Sequence, residues 1–317
     1  MGKKILILGG AGYVGGYLVD HLKSFPDYEV TVYDSLLYEA HYLKNVNFIR
    51  GDVRDYKKLG KIINNYDIAV VLGAVVGDGA CFVNPFTTYS INVESVKWLV
   101  NNFDGKILFP STCSVYGINE NLIDESAEPN PISVYAETKL EAEQYIFENR
   151  PNCFILRLGT LYGISDEHSR IRLDLVANIL SQRAALGQTL KVFGGEQWRP
   201  LLHVKDVGRC FEKAIREDLS GLFNISSGNY TIKMIAEEIQ RVIPGTKVEY
   251  EDISFEDKRN YKVVTDKLKA TGFTSSFTLE DGIREIEKIT KEERITDLKN
   301  PIYSNVAYLE SIVSKKI

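Results

Sequence analysis

Three groups of residues in this chain could do chemistry together. The first is Tyr135 and Lys139 in NPISVYAETKLEAEQYI. Residues i and i+4 share a helix face, so a phenol and an ammonium group would stand side by side. Taking hydride from an alcohol needs a base for the hydroxyl proton. A free tyrosine, with a pKa near 10, must fall by about 3 units, roughly 4 kcal/mol, to act near neutrality. A neighbouring cation favours the phenolate. YxxxK alone also arises by chance on exposed amphipathic helices, so its surroundings have to decide. The second group is Ser111, Thr112, Cys113 and Ser114, which follow the apolar run KILFP. A hydroxyl at such a strand tip could hold a substrate oxygen and share its proton. The third is GGAGYVGG, in which Gly10, Gly12 and Gly15 fit GxGxxG and Gly9, Gly12 and Gly15 fit GxxGxxG, with Tyr13 and Val14 inside the loop. Such glycines let backbone approach a pyrophosphate at a helix N-terminus, where free N–H groups and the dipole favour negative charge.

These groups need elements to position them. KILILG, EVTVYD, NFIRGDV, IAVVLGA, KILFPST and CFILRLGTLYG read as strands. Helices are expected from Gly12 to about Ser24 and near 55–64, 87–102 and 133–149. The strands are nearly continuous apolar runs, as in a parallel sheet covered on both faces. Alternation with helices implies right-handed crossovers and an open doubly wound α/β sheet. The glycine loop then lies between a strand and a helix, the context that makes the motif credible. Asp34 ends the second strand, where an acid accepts hydrogen bonds from an adenosine ribose and repels a 2′-phosphate, favouring NAD over NADP. A surface aspartate opening a loop would read the same. Asp52 and Val53 follow the third strand and are placed to flank an adenine. We read residues 1–165 as the dinucleotide-binding domain. Residues 166–317 form mainly a substrate lobe, with helices near 171–187 and 231–242 and segments near 200–226 returning to the main sheet.

The bulk composition narrows the classes. A net charge of −5 over 317 residues argues against a nucleic-acid partner. No apolar run approaches the ~20 residues of a membrane helix, and MGKKILILGG reads as a first strand rather than a signal peptide. Cys81, Cys113, Cys153 and Cys210 lack CxxC spacing, and the four histidines lack metal-ligand spacing. A reduced cytoplasmic protein without a metal is the expectation.

Taken in order, GGAGYVG, Asp34, STCSVYG, YAETK, LRLGTLYG and RPLLHVKDV resemble the extended short-chain dehydrogenase/reductase family, in particular its NAD-dependent epimerases and dehydratases of nucleotide sugars. The resemblance runs to about residue 290 and implies a Rossmann-type sheet with a smaller C-terminal α/β substrate lobe. It implies NAD as cofactor and a UDP- or GDP-linked sugar as substrate. Counting four residues back from Tyr116 of the VYG motif gives Thr112, so the implied catalytic set is Thr112, Tyr135 and Lys139. Asn92 of the INV stretch would help to hold the cofactor or the lysine. Related 4,6-dehydratases carry Asp-Glu where this chain has Cys113-Ser114; without that acid–base pair, elimination is not expected. Keto-epimerase/reductases place a cysteine two residues after the catalytic hydroxyl; here it comes one residue after, on the other strand face, so Cys113 reads as a packed thiol. What remains is oxidation of a sugar hydroxyl, at C4, giving a 4-keto sugar or the 4-epimer. A reductase of another keto substrate and a catalytically silent NAD-binding protein are the alternatives.

The resemblance also assigns the second ligand. Arg199 and Arg259 match arginines that grip a diphosphate, with Arg170, Arg172 and Asn178 as weaker candidates. Phe193 lies where relatives pack the base. Thr160 stands where relatives often have asparagine, and Val75 to Asp78 would wall the sugar. His203, within HVKDV, reads as structural. A homodimer through the helices near 87–102 and 133–149 is implied. The tail KEERITDLKNPIYSNVAYLESIVSKKI carries no family motif.

Overall fold

Strand β1 (Lys3–Leu8) alternates its side chains between two cores. Ile5 and Ile7 pack with Leu18, Leu22, Val207 and Phe211. Leu6 and Leu8 pack with Val96, Leu99, Ala142 and Ile146. A strand covered on both faces must be apolar throughout, which is why KILIL shows no polar alternation. Each such side chain contributes about 1.5–3 kcal/mol on burial.

The computed structural model describes residues 2–38, 41–251, 259–295 and 297–314. After β1 come α1 (Tyr13–Lys23), β2 (Tyr28–Asp34), β3 (Asn47–Arg50), α2 (Tyr56–Leu59), β4 (Ile68–Val71), α3 (Asp78–Val83), α4 (Pro85–Tyr89), α5 (Ser95–Asn102), β5 (Lys106–Thr112), β6 (Ile118–Ile123) and α6 (Val134–Asn149). Then follow β7 (Phe154–Leu158), β8 (Thr160–Tyr162), α7 (Val176–Ala185), β9 (Leu190–Phe193), β10 (Trp198–His203), α8 (Val204–Arg216), β11 (Gly221–Ile225) and β12 (Gly228–Thr231). The chain continues through α9 (Ile232–Val242), β13 (Val248–Glu251), β14 (Asn260–Val263), α10 (Asp266–Lys269), α11 (Leu279–Lys291) and α12 (Asn305–Ser314).

Seven strands form one parallel sheet in the order β11-β7-β5-β4-β1-β2-β3. This is the doubly wound Rossmann-type arrangement expected from the alternating pattern. The order reverses between β1 and β4, and in such sheets ligands bind beyond the carboxyl ends at that switch point. Those ends carry Gly9, Asp34, Leu72 and Thr112.

Three details differ from the sequence reading. LRLGTLYG is not one strand: β7 stays in the main sheet, while β8, one residue later, pairs with β10 in a smaller sheet with β12. Gly159 makes the switch, and a Cβ there would lie 2.8 Å from the Pro200 carbonyl oxygen. Of the segments near 200–226, therefore, only β11 returns to the main sheet as a strand; β10 is held away by its ladder to β8. The helix expected over 87–102 is three joined pieces, α4, a π-helical turn at Ser90–Glu94 and α5. The second lobe has its own core, where Leu180, Leu190, Leu201, Ile235, Ile239 and Ile283 meet.

Candidate active site

At the end of β1 the chain turns through Gly9 at φ +82, and a Cβ there would lie 2.4 Å from the Gly73 nitrogen. Only glycine meets both demands. Gly12 is the N-cap of α1 and supplies no side-chain cap, so the first amides of the helix are left for a ligand. Gly15 works differently from expectation. It does not face the cavity; a Cβ on it would stand 2.2 Å from the Gly10 oxygen. It permits tight packing of the helix against its own loop.

These groups open into one cavity of about 1150 Å³. That exceeds the ~300–1,000 Å³ of a pocket for one ligand. Gly9, Gly12, Tyr13, Val14, Asp34, Asp52 and Val53 line it. The Asp34 carboxylate accepts from the amides of Ala11 (3.0 Å) and Leu36 (2.7 Å). Burial raises its pKa and those amides oppose the rise. Asp52 is held by Arg54 at 2.6 Å, which keeps its carboxyl below the usual range. An uncapped helix start, a glycine turn and a carboxylate at the end of β2 fit a dinucleotide with its pyrophosphate at α1 and a ribose at Asp34.

Thr112, Tyr135 and Lys139 line the same cavity. Thr112 ends β5, and its hydroxyl accepts from the Ser114 amide at 3.1 Å. Ser133 caps α6, accepting from the Ala136 amide at 3.2 Å, so Tyr135 sits in the first turn and Lys139 one turn later. The Lys139 ammonium lies 3.8 Å from the centre of the Phe109 ring. Burial lowers its pKa to about 7, with the Glu143 carboxylate working the other way. Burial also pushes the Tyr135 phenol well above its ordinary value, while a hydrogen bond with Thr112 opposes the rise. The fall in phenol pKa expected from YxxxK is thus not present in the protein alone. The reason is that the phenol is itself enclosed, and the cost of burying its charge, with Asp78 adding to it, outweighs the help from Thr112 and Arg172.

Cys113 is the packed thiol it was read as: buried, its Sγ donates to the Arg157 carbonyl at 3.3 Å. The Ser114 hydroxyl meets the Tyr261 hydroxyl at 3.3 Å and accepts from Arg259 at 3.4 Å. Asn92 faces away from the cavity. It receives the Val75 amide (2.8 Å), donates to the Val75 carbonyl (2.9 Å) and reaches the Thr138 hydroxyl (3.2 Å), tying the end of β4 to α6 beside Lys139.

Val75, Thr160, Phe193, Arg199 and Arg259 all line the cavity. Arg199 donates to the Trp198 carbonyl at 2.8 Å and to the Arg259 carbonyl. Arg259 pairs with Asp78 at 3.1 Å, and Ser133 donates to the same carboxylate at 2.6 Å. Asn178 is a correction. It is buried, receives the Gly163 amide at 2.9 Å and donates to the Arg172 carbonyl at 2.8 Å, outside the cavity wall. Its amide is spent on folding the 163–172 loop. His203 accepts the Lys205 amide at 3.2 Å and meets Glu285 at 3.0 Å, away from the cavity.

Two contributions were missed. Asp78 stands close enough to Tyr135 to act on its charge, though its sequence context suggested only a wall. The tail forms α12, whose Val306, Leu309, Ile312 and Val313 line the cavity. The apolar spacing of NVAYLESIV was the only available signal, and it names no partner.

The sequence model of the NAD dependent epimerase/dehydratase family matches residues 5–226. The chain is 29% identical to the low-salt glycan biosynthesis protein Agl12 of Haloferax volcanii, over 88% of this chain and 96% of that protein. It is 26% identical to an ADP-L-glycero-D-manno-heptose-6-epimerase of Brachyspira hyodysenteriae, over 91% and 98%. Its fold matches UDP-glucose 4-epimerase of Thermotoga maritima, solved with UDP-glucose, at a TM-score of 0.79 and 23% identity, over 92% and 99% of the two chains.

Proposed function

From the premise that this chain belongs to the NAD dependent epimerase/dehydratase family, and so is an enzyme with NAD as its cofactor, we propose that it oxidises the C4 hydroxyl of a UDP- or GDP-linked sugar, yielding the 4-epimer or the 4-keto sugar. The observation that carries this reading is the single cavity shared by the glycine loop, the Thr112–Tyr135–Lys139 set and the pair Arg199 and Arg259. NAD, when bound, takes the hydride from the sugar carbon.

The chain's own residues do the rest. The amides at the start of α1 and the turn at Gly9 would hold the pyrophosphate, and Asp34 the adenosine ribose hydroxyls. Tyr135 takes the proton of the sugar hydroxyl, and Thr112 holds that oxygen and passes the proton. Lys139, one turn from Tyr135, favours the phenolate, and the positive charge of a bound oxidised nicotinamide would add to that effect. Arg199 and Arg259 grip the diphosphate with planar forks, while Phe193 packs the base. The UDP-glucose carried by the Thermotoga maritima enzyme supports this ligand class. Elimination is disfavoured because Cys113 donates to the Arg157 carbonyl and the carboxylate that acts on Tyr135, Asp78, is engaged by Arg259 and Ser133.

The test incubates the pure protein with UDP- and GDP-hexoses and follows both reduced-nicotinamide absorbance and product stereochemistry by NMR. A C4 epimer, or a 4-keto sugar with matching reduced cofactor, is expected. A 4-keto-6-deoxy product would overturn the assignment, because it requires loss of water. Turnover of free carbonyl compounds without any nucleotide sugar would favour the reductase alternative.

A further inference from the structure

The tail crosses the cavity rather than trailing from it. At one end of the crossing, Tyr308 of α12 packs against Tyr38, just after β2, with ring centres 5.2 Å apart. At the other, Val306 packs on α3, where a Cβ on Gly79 would lie 2.9 Å from one of its methyl groups. Along α12, Val306, Leu309, Ile312 and Val313 line the cavity. A buried knot fixes the helix start. The Asn305 amide donates to Asp174 at 2.9 Å, its side chain donates to the Val76 carbonyl at 2.7 Å, and its side-chain oxygen accepts from Arg170. Arg170 also lies 4.1 Å from the centre of the Tyr38 ring, and Arg172, bound to Asp174 at 2.8 Å, faces Tyr13 of the glycine loop. Both arginines are buried and line the cavity.

Asp34, the start of α1, Tyr135 and these α12 side chains all line the same cavity, so a dinucleotide held from Asp34 to Tyr135 would share it with α12. We propose that α12 is a clasp over bound NAD: Asn305 holds Arg170, and through Asp174 also Arg172, across the cofactor from the glycine loop, and the helix must swing outward for NAD to exchange. The arginines place two fixed cations opposite the helix start, so the pyrophosphate is gripped from both sides. The apolar face of α12 excludes water from the remainder of the cofactor. NAD then stays on the protein through repeated turnovers. The proposal rests on NAD being the cofactor and is independent of which sugar is used.

The Cβ position of Gly79 lies 4.0 Å from the Val306 Cβ, within the ~3.5–4.5 Å that a disulfide spans. The test uses the full-length holoenzyme carrying Gly79→Cys and Val306→Cys, and measures exchange of bound NAD for a fluorescent etheno-NAD. Oxidation should slow exchange by at least roughly tenfold, and reductant should restore it. In the opposite direction, Asn305→Ala and Tyr308→Ala, in the native cysteine background, should each raise the exchange rate by roughly tenfold, as expected for loss of buried hydrogen bonds or an aromatic contact. Exchange unchanged in the oxidised pair and in both alanine variants, with NAD bound, would overturn the clasp alone. A wild-type protein that binds no NAD would overturn the cofactor premise and the clasp with it.

Discussion

Tyr135 and Lys139 occupy a pocket that penalises both of their charged forms. Tyr135→Phe should lower turnover by about 10²–10⁴-fold, the usual contribution of a positioned general base, with NAD binding by equilibrium dialysis unchanged. Equal activity would remove Tyr135 from the mechanism. Lys139 carries a consequence for stability. Its pKa is about 7 in the folded protein and near 10.4 when unfolded. The unfolded chain therefore binds more protons between those values, and stability rises with pH across that window. Below pH 7 the buried ammonium carries its full cost. Lys139→Met should stabilise the fold at pH 6 by about 4–5 kcal/mol in urea unfolding, and by much less at pH 10, while turnover is lost. Tyr135 and Lys139 were legible as a pair because their i, i+4 spacing is local, whereas Thr112 rested on the family resemblance, counted back from Tyr116. Asn178 was misread because its partners, Gly163 and the Arg172 carbonyl, are set by how a loop closes on itself.

At the scale of elements, α6 is anchored as well as capped. Glu143, one turn beyond Lys139, meets Arg157 of β7 at 2.5 Å, and Arg157 reaches the Tyr116 hydroxyl at 2.7 Å. Both partners are about 4% exposed, so this pair is screened very little. Glu143→Ala leaves an unpaired buried guanidinium and should cost about 3–5 kcal/mol in urea unfolding, whereas Glu143→Leu with Arg157→Leu should recover most of it. The single variant should also lose activity, since removing that carboxylate lowers the Lys139 pKa further. Strands and helices were legible from continuous apolar runs and their alternation. The split of LRLGTLYG was signalled only by Gly159, which in a strand marks a close approach without saying to what. The π turn at Ser90–Glu94, which places Asn92 on Val75, leaves no mark in apolar spacing over so short a run.

At the scale of the molecule, β11 and α8 come from beyond residue 200 yet complete the main sheet and its core. A fragment ending at residue 165 should therefore aggregate, because it bares the β7 edge and the Ile5–Ile7 face; a soluble, cooperatively melting fragment would contradict this. In the whole chain, NAD at 100 times its Kd should add about 2.7 kcal/mol of stability, and a nucleotide sugar should raise the melting point again from the NAD-saturated value. The outline of the sheet could be read from the sequence, but the route of the tail could not, since it depends on which distant surfaces are left uncovered. Gly159 finally bears on substrate length. The main sheet presents Thr112, β10 presents Arg199, and one residue, Gly159, separates β7 from β8 of the small sheet that holds β10. The gap between the two walls is then a ruler with almost no play. Sugars joined to the diphosphate through a spacer should bind competitively yet fail to react, and ready turnover of such analogues would show the ruler to be elastic.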